Sequence, residues 1–234
     1  MKRAKLQGRT PAPWVCALAA GVMLSAVSSV TTGTGTGLDT LAADTSHRDW
    51  QFRVLLDGKQ IGYHNFELTE ERGLDRLRSE ASFKVRFLFF DAYTYDHSNE
   101  ELWDGQCLQQ IDAQTRVNGK ILSVQGQQAD DGFVVATDGA EDLLADCVMS
   151  FAYWKPEFLD QDRLLNSQTG EYLSVLIEPV SEEQLTVRGQ PVDAIRYTLD
   201  AGKLDMQLWY TPEREWLALE SRTKGGRLLR YELL

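Results

Sequence analysis

The chain holds three histidines, His47, His64 and His97. The last two fall in segments where apolar and polar residues alternate as they do in strands. Around His97 the alternation is unusual, because Tyr93, Tyr95, His97, Asn99, Glu101 and Trp103 would all share one face of a strand. Such a stripe suits either of two roles. As a pocket wall, Tyr and Trp supply flat apolar surface while His97, Asn99 and Glu101 fix a ligand's orientation. Otherwise it is the wet outer face of a sheet. His64, His97 and Glu101 are also metal-ligand types, but two histidines on different strands with one carboxylate match no established ligand spacing, and no metal or cofactor is expected. His47 reads as solvated.

Other reactive groups give less. The chain has no GxSxG elbow, no Walker lysine loop, no HExxH and no CxxC, which lowers the case for an enzyme without removing it, since triads can assemble from distant strands. No catalytic residue is assigned. The pairs Glu100-Glu101, Asp130-Asp131 and Glu182-Glu183 are adjacent, so on a strand their carboxylates point to opposite faces and cannot cooperate. Cys107 and Cys147 lack a neighbouring His, Lys or Arg that would make either a reactive thiolate. They form either a disulfide, worth roughly 4 kcal/mol in the chain-entropy account, or two separate buried thiols. The dense aromatic run FAYWKPEF, Phe151 to Phe158, reads either as a helix plugging a curved sheet or as a lid over an apolar ligand.

These residues must be positioned by one modest fold. The chain has 234 residues, 24 Lys and Arg against 35 Asp and Glu, a net charge of -11 and 43% hydrophobic residues. That composition fits one or two globular domains and excludes collagen-like, disordered and polytopic membrane classes. The acidic balance also excludes nucleic acid as a partner, since phosphate binding needs a basic surface.

Lys2, Arg3, Lys5 and Arg9 precede an uncharged run from Trp14 to Val30, the layout of an export signal. Cleavage fits best after Ser28 and less well after Ala43; uncleaved, the run would be a membrane anchor. TTGTGTG, Thr31 to Gly37, follows the signal rather than a strand and reads as a linker, not a phosphate loop. Residues 1–43 are therefore read as signal peptide and Thr/Gly-rich linker, 44–234 as one domain, and the location as periplasmic or secreted.

From Trp50 onward, period-two alternation dominates. Trp50, Phe52, Val54 and Leu56 share a face, as do Phe83, Val85, Phe87 and Phe89. Asp57-Gly58, Arg72-Gly73, Asp104-Gly105, Asn118-Gly119 and Asp131-Gly132 punctuate a meander of hairpins. Between Asp138 and Pro156 the period changes. Leu143, Leu144, Cys147, Val148, Phe151 and Trp154 recur at helical spacing, Asp138 and Glu141 resemble a capping box, and Pro156 is a stop, so one amphipathic helix is expected there. Alternation then resumes from Tyr172 to Leu233, with a strand break expected between Glu178 and Glu183. The expectation is mainly β: a single curved antiparallel sheet or barrel of ten or more strands with one amphipathic helix.

FKVRFLFFDAYTYDHSNEELWDGQCLQQIDAQTRVNGK, CVMSFAYWKP and QLWYTPEREWLALESRTKGGRLLRYELL together resemble bacterial domain-of-unknown-function family 6134, from about Trp50 to Leu234. The closing strands are also similar in layout to family 3108, a broader group of exported β proteins. The resemblance implies an exported, all-β, barrel-like domain, distantly similar to the curved sheets that shelter the acyl chains of lipoproteins. It carries over no active-site residue.

Three functions follow. The first is a non-enzymatic binding or accessory module, a half-barrel holding an apolar or amphipathic, lipid-like ligand through Phe87, Phe89, Tyr95, His97, Trp103, Phe151 and Trp154. The second is a structural or interaction protein of the cell envelope with a filled barrel, meeting an envelope partner. The third is a hydrolase using His97 and Glu101. Whether the interior is hollow or filled by side chains separates the first from the second.

Overall fold

A computed structural model describes residues 47–234 apart from 88, 89 and 203; the expected signal and linker lie outside the described residues. The chain forms β1 (His47–Leu56), β2 (Lys59–Glu71), β3 (Leu74–Phe87), β4 (Phe90–Asp104), β5 (Cys107–Val117), β6 (Lys120–Ala129), β7 (Gly132–Thr137) and β8 (Ala140–Leu143). A 3₁₀ turn, Pro156–Asp160, and the short strands β9 (Arg163–Leu165) and β10 (Tyr172–Ser174) follow. The chain closes with β11 (Leu176–Val187), β12 (Gln190–Asp200), β13 (Asp205–Tyr210), β14 (Trp216–Arg222) and β15 (Leu228–Leu233). No helix among the described residues is long and apolar enough to cross a membrane.

The alternation has its expected consequence. In β1, Trp50, Phe52, Val54 and Leu56 are buried while Gln51 and Arg53 are exposed, because successive strand side chains point to opposite faces. The hairpins turn where the sequence places them: Asp57-Gly58, Arg72-Gly73 and Asn118-Gly119 hold both residues at positive φ, the conformation that tight two-residue hairpins need. Gly62 has a different reason to be glycine. A Cβ there would sit 1.8 Å from the Ser82 carbonyl oxygen of the neighbouring strand, so no other residue fits without moving β2 away from β3.

Thirteen strands form one antiparallel sheet in the order β11-β12-β13-β14-β15-β1-β2-β3-β4-β5-β6-β7-β8. β15 lies beside β1, with Phe52 opposite Leu233 and Leu56 opposite Leu229, so the two halves of the meander join along that seam. The sheet curves like a barrel but is not closed: β8 and β11 are edges among the described residues. Its concave face buries the main core, which includes Phe52, Leu77, Trp103, Ile111, Leu208 and Trp216. A smaller cluster of Ala194, Trp209, Leu217 and Ala218 is a separate core, and Leu185, Val187 and Val192 of the β11–β12 hairpin pack against it.

The expected amphipathic helix between Asp138 and Pro156 does not form. Asp138 and Gly139 instead take positive φ as the β7–β8 hairpin turn, so an Asp read as a helix cap is the Asp of an Asp-Gly turn. The connector that follows bonds to strands through its backbone, and its own internal bonds are short-range turns such as Lys155 N–H to Ala152 O. Leu144 N–H donates to Phe133 O at 2.8 Å, Leu108 N–H to Val148 O at 2.9 Å and Leu165 N–H to Met149 O at 2.8 Å. Val148, Met149, Ala152, Trp154, Phe158 and Leu159 still reach the core, so the connector plugs the concave face as an irregular segment. A second expectation also changes: β11 runs unbroken through Pro179, with a bulge between Pro179 and Ser181. An edge strand tolerates a proline that an inner strand would not.

Candidate binding site: a cavity under the connector

The stripe on β4 faces inward. Tyr95, His97, Asn99, Glu101 and Trp103 are all buried, while Tyr93 nearer the strand's start is 37% exposed. On β2, His64 and Phe66 alternate onto the same concave side, and their rings stack at 4.1 Å. The His64 ring stands 6.5 Å from that of His97, nearly perpendicular to it, and 5.7 Å from Tyr231 on β15. Phe83 stacks on Tyr95 at 4.9 Å. An aromatic wall thus runs across β2, β3 and β4 and reaches Tyr231 on β15, beyond β1.

Between this wall and the connector lies a cavity of about 250 Å³. Phe66, Leu77, Tyr95, Met206, Leu219 and Tyr231 line it from the sheet, and Phe151, Ala152, Tyr153 and Trp154 from the connector. The polar lining is His64, Ser79, His97, Asn99, Glu101 and Ser221 from the sheet, with Asn166, Ser167 and Gln168 from the loop between β9 and β10. A larger groove of about 470 Å³ follows Arg76, Arg78, Glu80, Glu100 and Asp112. Both of its arginines, Arg76 and Arg78, are paired to Glu100. The cavity is the stronger candidate, because it combines apolar walls with convergent polar groups.

Each polar group of the cavity has a definable state. Glu101 is 2% exposed and accepts from Asn99 Nδ2 at 3.0 Å and from the Trp103 indole N–H at 3.1 Å. Burial raises its carboxyl pKa, opposed by the hydrogen bonds from Asn99, Ser150 and Trp103 and by the charge of Lys155. Lys155 itself is committed elsewhere: its ammonium donates to Asp75 Oδ2 at 3.1 Å and to Gly105 O at 2.8 Å, and lies over the rings of Trp154 and Trp103. His97 Nδ1 is 2.9 Å from Thr115 Oγ1. Burial pushes the His97 imidazole down to about 4, and burial together with His97 pushes His64 down to about 3. Both rings are therefore neutral at physiological pH. Both nitrogens of His64, Oδ1 of Asn99 and Nε1 of Trp154 are shut off from solvent without a hydrogen-bond partner in the chain.

Of the residues singled out from the sequence, Tyr95, His97, Phe151 and Trp154 meet at the cavity. Trp103 lies beneath it, fully buried, and anchors Glu101. Phe87 ends β3 opposite Phe90, and Phe89 lies outside the described residues. His64, Phe66, Tyr153, Met206 and Tyr231 line it as well, and the sequence pattern does not point to them as ligand contacts. The alternation of His64 with Phe66 is visible in the sequence, but that β15 brings Tyr231 beside them is not. His97 Nδ1 is engaged with Thr115, and the Glu101 carboxylate with Asn99 and Trp103. Among the described residues no group of three or more His, Cys, Asp or Glu is placed to hold a metal. Cys107 and Cys147 form a disulfide with Cα atoms 4.8 Å apart, tying β5 to the connector.

The family model described as Domain of unknown function (DUF6134) matches residues 52–234. The chain belongs to that family. No curated protein matches the sequence. Among solved structures, this DUF6134 chain is similar to a β-barrel-like protein of domain of unknown function DUF1849 from Brucella abortus, at 11% identity with a TM-score of 0.57. The match covers 80% of this chain and 95% of the other. At that identity the likeness shows the fold, and the fold it shows is the barrel-like one described above.

Proposed function

We propose that the protein is an exported, non-enzymatic binding module that holds a small amphipathic ligand between its concave face and the connector. One observation carries this reading: His64, Asn99 and Trp154 line a cavity whose other walls are largely aromatic and aliphatic, and each keeps a buried polar atom without a partner in the chain. A buried polar group without a partner costs about 1–3 kcal/mol, so a ligand that met these atoms would recover that cost while burying its own apolar body. Export is supported by the basic and apolar segments at the start of the sequence and by a disulfide suited to an oxidising compartment.

Native mass spectrometry of the purified protein tests the reading. The expected result is a small molecule that stays bound under gentle conditions and is released on unfolding. A bare polypeptide that also ignores uncharged amphiphiles would overturn it. The second reading, an envelope structural or interaction protein, draws on the cavity's modest size: about 250 Å³ is below the usual range of roughly 300–1,000 Å³ for ligand sites. A stoichiometric envelope partner in a pull-down, with no small molecule bound, would favour it.

A further inference from the structure

We propose that the cavity receives a primary ammonium group carried on a small apolar body. This deepens the binding reading above and rests on it. The first argument is the balance of acceptors and donors. Asn99 Oδ1 is an acceptor without a partner, and the neutral imidazole of His64 offers one unpartnered acceptor nitrogen beside one N–H. Glu101 accepts from Asn99, Trp103 and Ser150, three donors for about four lone-pair sites, so acceptor capacity remains. Against these stand the Trp154 indole N–H and one His64 N–H, while the hydroxyls of Ser79, Tyr95 and Tyr231 in the lining can donate or accept. Asn99 Oδ1 and Glu101 have acceptor capacity left over, which an ammonium, with three donors and no acceptor, can meet.

The second argument is charge. Among the described residues that line the cavity none is Lys or Arg. Lys155, whose charge acts on Glu101, is paired with the partly exposed Asp75, so Asp75, Lys155 and Glu101 together place two carboxyl groups beside one ammonium. A carboxylate or phosphate ligand would meet Glu101 with nothing to offset the repulsion. A cation would complete the charge balance.

The third argument is the aromatic lining. Phe66, Tyr95, Phe151, Tyr153, Trp154 and Tyr231 surround the space, and ring faces attract cations most where water is excluded. The chain already uses this device next door, where the Lys155 ammonium sits 4.6 Å from the Trp154 ring and 5.2 Å from the Trp103 ring.

The test is a titration calorimetry series on the purified protein with three ligands of nearly the same body: phenethylammonium, phenethyl alcohol and hydrocinnamate. The expected order is cation first, with the anion at least about tenfold weaker, since an unpaired like charge in a buried site is heavily disfavoured. Glu101→Gln should reduce the preference for cation over anion, and Asn99→Leu should weaken the cation without favouring the anion. Should either variant fail to fold, the order among the three ligands on the unaltered protein still decides. Tightest binding by the anion or by the alcohol would overturn the ammonium inference and leave the binding reading standing. Binding by none of the three, with no molecule released in the mass spectrum, would overturn both.

Discussion

At the level of single residues, the stripe from Tyr93 to Trp103 was legible in the sequence as a face, but not as the inner face. Alternation says which side chains go together, and a mixed polar and aromatic set is compatible with either side. What decides is the partner strand: Phe66 and Leu77, buried on β2 and β3, put the same side of the sheet into the core. The buried imidazoles have a measurable consequence. Their folded pKa values, about 3 for His64 and about 4 for His97, lie below the ordinary value near 6.5. The unfolded chain therefore binds protons that the folded chain refuses, and the stability present above about pH 6.5 is lost as pH falls through that window. Each histidine contributes a slope of up to about 1.4 kcal/mol per pH unit. Urea unfolding followed between about pH 7 and about pH 4 should show the unaltered protein losing ground to His64→Phe, which keeps a ring on Phe66. Parallel curves for the two proteins would contradict this account of His64.

At the level of elements, the hairpins were legible because Asp-Gly, Asn-Gly and Arg-Gly steps need positive φ and few other local structures use it. The connector was misread for the same kind of reason. Apolar residues at helical spacing are also what an irregular segment shows when it drops side chains into a core at uneven intervals, and only its long-range backbone bonds to Phe133, Leu108 and Leu165 distinguish the two. The disulfide fixes this segment against β5, closing a loop with a sequence separation of 40. Replacing Cys107 and Cys147 together by serine should cost about 2–4 kcal/mol of unfolding free energy, measured by urea denaturation. An unchanged midpoint would mean that the connector's own packing holds it in place without the crosslink.

At the level of the whole molecule, the barrel-like curvature was legible from the number of short alternating strands, but the seam was not. Nothing local in Phe52 or Leu233 announces that they are neighbours; the pairing follows from how far the sheet bends. β15 is hydrogen-bonded to both β14 and β1, so it joins the two halves. A chain ending before Leu228 should lose its single cooperative thermal transition, rather than shift it by a few degrees, as followed by circular dichroism. A sharp transition retained by that chain would show that the halves fold independently.

An open sheet of this size invites its own continuation, because an unpaired strand margin is a template for another chain. Here β8 has four residues, all exposed. β11 carries Pro179 and its bulge, with Glu178, Glu182 and Glu183 nearby. Neither margin offers a second molecule a long, flat row of amides to copy. Such margins disfavour edge-to-edge growth of an unclosed sheet.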